Sequence, residues 1–124
     1  MLENASVMGF VPTRDFKRAR FFYVDTLGLE LISQDGFALE VASNGTHIRV
    51  TKVEEFTPFP FTVLGWRVPE IVFAVRELTA KGIVFERYHF LQQDADGIWT
   101  APGGAKIAWF NDPDGNILSL SYHP

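Results

Sequence analysis

No cysteine occurs in the 124 residues of this chain. Disulfide scaffolds, zinc–thiolate sites, iron–sulfur clusters and cysteine nucleophiles are excluded at once. Positive charge is also in short supply: 11 Lys and Arg face 15 Asp and Glu, for a formal net charge of −4. A surface of that sign does not attract phosphate backbones, so no nucleic-acid partner is expected. No apolar run approaches the ~20 residues of a spanning helix, so no membrane partner is expected either. The opening Met1-Leu2-Glu3-Asn4-Ala5 lacks the basic and apolar regions of a secretion signal. Neither Ser119 nor Ser121 sits in a nucleophile elbow or has a recognisable histidine partner, and Pro102-Gly103-Gly104-Ala105-Lys106 lacks the spacing of a phosphate loop. What remains is a cytoplasmic protein whose 47% hydrophobic and 21% charged content suits one packed domain.

The positive content is a repeated order of elements. Val7 to Thr13 reads as a strand ending near Pro12, and Asp15 caps a helix from Phe16 to Leu27 that Gly28 stops. Strands follow at Leu29–Ser33, Phe37–Ala42 and Thr46–Val53, separated by Gln34-Asp35-Gly36 and by Ser43-Asn44-Gly45, a hairpin signal. Residues 54–62, with two prolines and no periodicity, read as a linker. The order then recurs: a strand at Val63–Val68, a helix from Pro69-Glu70 to Lys81, and a strand at Ile83–Phe90. A long loop to Gly104 follows, with a short strand expected near Ile98-Trp99-Thr100, and then strands at Ala105–Phe110 and Ile117–Tyr122. Two βαβββ halves make an α+β protein with an internal structural repeat.

Two motifs give that repeat a family. The run Pro12-Thr13-Arg14-Asp15-Phe16 leads into a helix ending Phe22-Tyr23-Val24-Asp25-Thr26-Leu27-Gly28, and Phe110-Asn111-Asp112-Pro113-Asp114-Gly115-Asn116 precedes the last strand. In combination they resemble the vicinal oxygen chelate superfamily, the group of glyoxalases, bleomycin resistance proteins and extradiol dioxygenases. The resemblance covers nearly the whole chain. It implies one glyoxalase-like domain over 1–124, with module 1 at about 5–53 and module 2 at about 63–123. Each module would supply a curved mixed sheet to the wall of a cavity. Metal-dependent members hold a divalent ion there with His, Gln or Glu from four equivalent strand positions.

The resemblance also locates those positions here. The first lies seven residues before the helix-capping acid, which leads from Asp15 to Met8 and from Glu70 to Val63. The last lies four residues after the glycine of the turn, at Ser119. The fourth falls on the strand from Thr46 to Val53, at His47, Arg49 or Thr51. A thioether, an isopropyl group and a hydroxyl do not make a hard divalent site. No metal cofactor is therefore expected.

Strand alternation places Met8, Phe10 and Pro12 on the cavity face, with Ala38, Glu40, His47, Arg49 and Thr51. In module 2 the same face takes Val63, Gly65, Arg67, Ile117, Ser119 and Ser121. Glu40 and Arg49 read as a cross-strand ion pair; the alternative is that Arg49 or Arg67 anchors a carboxylate or phenolate of a ligand by a bidentate bond. Phe21, Phe22, Phe73 and Phe85 read as core. Trp99 reads as a lid over the cavity mouth or as a packing residue against a partner subunit, and Trp109 stands beside it as a candidate. The candidate ligand-binding set is thus Met8, Phe10, Arg49, Thr51, Val63, Arg67, Trp99, Trp109 and Ser119. The leading expectation is a metal-free homodimer that binds a small, partly aromatic molecule. The alternative is a metal-dependent lyase, isomerase or dioxygenase of the same superfamily. Phe56, Phe59 and Phe61 in the linker read as interface residues.

Overall fold

In the computed structural model, which describes residues 1–124, the chain divides within its Pro-rich stretch into the units Met1–Thr57 and Pro58–Pro124. In the first unit, Asp15 starts helix α1 (Phe16–Arg20) by accepting from the backbone N–H groups of Lys17 and Arg18. The helix continues through Phe21–Thr26 as a π-wound stretch. There the Leu27 N–H reaches back five residues to Phe22 O and the Leu29 N–H six residues to Tyr23 O. The wider turn lets two consecutive aromatic residues, Phe22 and Tyr23, face the core together. Gly28, at φ 77°, closes it.

Four strands complete this unit: β1 (Met8–Thr13), β2 (Glu30–Gln34), β3 (Ala38–Ser43) and β4 (Thr46–Lys52). They form a mixed sheet in the order β1-β4-β3-β2, with β1 and β4 parallel. Asn44 and Gly45, at φ 47° and 83°, form the β3–β4 hairpin turn. Alternation then fixes the faces. Val11, Leu39, Val41, Ile48 and Val50 are buried with Ala19, Phe22 and Tyr23 of the helix. The opposite face carries Met8, Phe10, Glu40, His47, Arg49 and Thr51, which the register sets side by side.

The second unit repeats the plan with β5 (Thr62–Arg67), α2 (Ile71–Ala80), β6 (Trp99–Thr100), β7 (Lys106–Asn111) and β8 (Ile117–Tyr122). Its sheet runs β5-β8-β7-β6, with β5 parallel to β8. Ile71 and Val75, one helical turn apart, cover Ala108, Phe110, Leu118 and Leu120. Trp66 stacks on Phe110 at 6.4 Å and Phe85 tilts onto it at 5.4 Å. Before β8, Asp112 holds the turn together: it accepts from the N–H groups of Asp114 and Asn116 and from Asn116 Nδ2, all within 2.9 Å. The Asp112 carboxylate is therefore occupied as a turn-builder. No helix of the chain is long and apolar enough to cross a membrane.

The fold is thus α+β, two four-stranded mixed sheets that do not close into a barrel. Three expectations change. The stretch Ile83–Phe90 is irregular: the edge of β7 is shared between β6, at Ile107 and Lys106, and a single Glu86 N–H bond to Trp109 O. One side chain bridges the stretch to the loop after it: Gln93 accepts from the Tyr88 N–H and donates Nε2 to Glu86 O and Gly97 O. Phe21 and Phe73 are exposed, at 65% and 64%, because each lies two residues from a buried helical position and so points about 200° away. Phe56 is half-buried in the first unit, where Arg14 donates to its carbonyl and lies over its ring at 4.1 Å.

Candidate functional site

The open face of the second sheet is built from two rows of paired residues. Trp109 stands opposite Ser119, which stands opposite Gly65. Beside them Trp99 faces Ile107, which faces Ser121, which faces Arg67. A Cβ on Gly65 would come within 2.6 Å of Ser119 Oγ, so the missing side chain is what lets Ser119 lie flat, 8% exposed. Val63 occupies the irregularity in β5 between Thr62 and Leu64.

The aromatic side chains do not stop at the sheet. Tyr88 meets Trp109 edge-on at 5.5 Å and stacks on Phe90 at 5.7 Å, while Trp99 tilts toward Trp109 at 6.1 Å. Phe59 and Phe61 stack face to face at 5.1 Å. A cleft of about 330 Å³ is lined by Phe61, Tyr88, Phe90, Leu91, Trp109 and Ile117, together with Pro60 and Thr62. Its volume lies at the small end of those that hold small molecules. Burial, with Glu86 nearby, pushes the Tyr88 phenol up from its ordinary value, so it stays protonated at neutral pH. The cleft wall is therefore uncharged and aromatic.

The first unit presents a different surface. Met8 faces His47 and Phe10 faces Arg49 across β1 and β4, with Pro12 opposite Thr51. Glu40 bonds to both His47 and Arg49. The ion pair expected between Glu40 and Arg49 is formed, and it also takes in His47, which strand alternation set on the same face. The parallel ladders also identify the fourth position. Arg49 lies opposite Phe10, two residues past Met8, as Ser119 lies opposite Gly65, two residues past Val63.

The four strand positions thus hold Met8, Arg49, Val63 and Ser119. A guanidinium repels a cation, and the other three lack a hard donor of the needed basicity, so this set does not fit a divalent ion. Nowhere does the chain gather three or more His, Cys, Asp or Glu side chains able to hold one.

The structure joins Trp109 to the cleft and brings Met8, Phe10, Arg49 and Thr51 onto one face. It does not make Trp99 a lid: that residue is a half-buried member of β6. Arg67 donates to the carbonyl of His123 at 3.4 Å. Ser121 does have a histidine partner, His123 Nε2 at 3.0 Å, because residues two apart on a strand share a face. Sequence reasoning missed Tyr88, Phe90 and Phe61 as site residues. Their signal was the density of aromatic residues in segments bordering strands.

A family model described as Glyoxalase/Bleomycin resistance protein/Dioxygenase superfamily matches residues 5–120. No curated protein matches the chain. Among solved structures, a member of the same superfamily from Sphaerobacter thermophilus DSM 20745 superposes with a TM-score of 0.75 at 22% identity, covering 99% of this chain and 100% of the other. A glyoxalase/bleomycin resistance protein/dioxygenase from Alicyclobacillus acidocaldarius gives 0.71 at 21% identity, over 97% and 92%. A bleomycin-binding protein complexed with bleomycin gives 0.75 at 19% identity, over 98% and 100%. At such identities the likeness is one of fold.

Proposed function

From the premise that this chain belongs to the glyoxalase/bleomycin resistance protein/dioxygenase superfamily, we propose that it binds a small, partly aromatic molecule by stacking, without a metal ion. The observation that carries the proposal is the cleft formed by Phe61, Tyr88, Phe90 and Trp109. Flat aromatic walls favour a planar ligand through offset or edge-to-face contacts, each worth about 0.5–1.5 kcal/mol beyond the area buried. Uncharged walls make the ligand's apolar part the portion held there. A structural relative that binds bleomycin supports this use of the scaffold. The residues at the four strand positions, which suit no divalent ion, support metal independence.

Titration of tryptophan fluorescence with bleomycin and, separately, with the planar dye acridine tests the reading. Saturable quenching is expected, unchanged by chelator and lost in Trp109→Ala and Tyr88→Ala proteins that still fold. Absence of saturation up to about millimolar, a −4 kcal/mol interaction, overturns it. Quenching that chelator abolishes transfers the case to a metal-dependent lyase, isomerase or dioxygenase.

A further inference from the structure

The first unit carries a cluster of titratable groups that the aromatic cleft does not use. Glu40 on β3 accepts hydrogen bonds from two residues of β4, His47 Nδ1 at 2.7 Å and Arg49 Nη1 at 2.8 Å. The carboxylate is the sheltered member: its side chain is 14% exposed, against 40% for His47 and 32% for Arg49. Those two bonds, the imidazole one foremost, hold the Glu40 carboxyl below its ordinary range. An ionised carboxylate only accepts, so Nδ1 must carry the proton, and in the neutral ring Nε2 keeps its lone pair. Glu40 thus determines which nitrogen of His47 is basic. Beside this pair, Met8 and Phe10 offer an apolar floor, 42% and 65% exposed.

We propose that His47 Nε2 is the proton-accepting group of a binding site for small weakly acidic hydroxyl compounds, phenols or enols with an apolar body. The ligand O–H bond breaks, its proton passes to Nε2, and its electron pair stays on oxygen. The N–H groups of Arg49 not used by Glu40 hold the resulting oxyanion. The imidazolium remains paired with Glu40, which acts as a positioning residue. Nothing is oxidised or reduced, and release of the ligand returns the proton. Other charges facing the pair are Glu30 on β2, in the His47 row beyond Ala42, and Asp35 in the β2–β3 turn, which interacts electrostatically with Arg49. On this face β1 supplies none, only Met8, Phe10 and Pro12.

The probe is 4-nitrophenol, whose neutral and ionised forms absorb differently. On saturating binding to the full chain its ionisation constant should rise about tenfold, one pKa unit. His47→Gln should return it to the free value, and Glu40→Gln should lose most of the rise while binding persists. Long-range nitrogen–proton NMR at pH ~8, above the ordinary imidazole range, should show His47 protonated at Nδ1. It should also show His47 ring signals shifting with the probe. The wild-type measurements decide even if the variants fail to fold. An Nε2-protonated ring, an unchanged ionisation constant at saturation, or no binding up to ~10 mM, an interaction weaker than about −3 kcal/mol, overturns the proposal. Acridine quenching of tryptophan is read separately, so the failure of either proposal is visible without the other.

Discussion

Gly65 is the residue on which the second sheet's open face turns. Any side chain there meets Ser119 Oγ at 2.6 Å and the Ser119 carbonyl oxygen at 3.2 Å. Overpacking of that kind costs about 1–3 kcal/mol. Gly65→Ala should therefore lower the denaturation midpoint, and adding Ser119→Ala should recover part of the loss but not all, because the backbone contact persists. Equal midpoints for the single and double variants would show no coupling between the two residues. Glu40 supports a second expectation. Its carboxyl is held below the ordinary value of 4.5, so it stabilises the native state above that pH and the contribution is lost as pH falls below it. Asp15 and Asp35 are shifted the same way by backbone N–H bonds and add to the acid sensitivity. The difference in melting temperature between wild type and Glu40→Gln isolates Glu40: it should be largest near neutrality and shrink below pH 4.5.

Among the elements, the strands and their faces were readable because period-two alternation leaves one choice once a face is buried. Asp15, Gly28 and the Asn44-Gly45 turn stand where their chemistry requires. The irregular stretch Ile83–Phe90 was not readable. Its residues have strand propensity, but whether a ladder forms depends on what else occupies the edge of β7, a non-local fact. The candidate site divides in the same way. Met8, Val63 and Ser119 follow from their distances to the two motifs, whereas Arg49 is singled out from His47 and Thr51 only by the parallel register. Tyr88 is held at the cleft by bonds of its segment to Gln93 and Trp109 that no local pattern announces. Gln93→Ala removes three hydrogen bonds at a partly buried position, about 2 kcal/mol in sum. It should weaken acridine quenching more than it lowers global stability, and hydrogen exchange should rise first at residues 86–93.

For the whole molecule, the exposed rings offer the main prediction. Phe59, Phe61 and Phe90 are 60%, 57% and 72% exposed; Phe59 stacks on Phe61, which lines the cleft with Phe90. A second copy packed on Phe59 and on the outward sides of Phe61 and Phe90 would cover these rings and leave Tyr88 and Trp109 to the ligand, giving a two-fold dimer. Light scattering at ~20 µM, where partners with Kd near 1 µM are mostly associated, should return twice the 14.0 kDa chain mass. A ligand that binds only the native state raises its melting temperature, so Mn²⁺, Ni²⁺ or Zn²⁺ at modest excess should leave the transition in place. The π-wound stretch Phe21–Thr26 governs how many residues the first helix can hold. A π turn takes up one residue more than an α turn between the same two anchors, its bonds reaching back five residues instead of four. Here the anchors are Asp15, bonded to the first turn, and Gly28, in its left-handed conformation. The first helix therefore accommodates one residue more between them than an α-wound path would, and takes it up as girth and not as a loop. A variant shortened by one residue within Phe21–Thr26 is expected to present Phe22 or Tyr23 to the core, but not both.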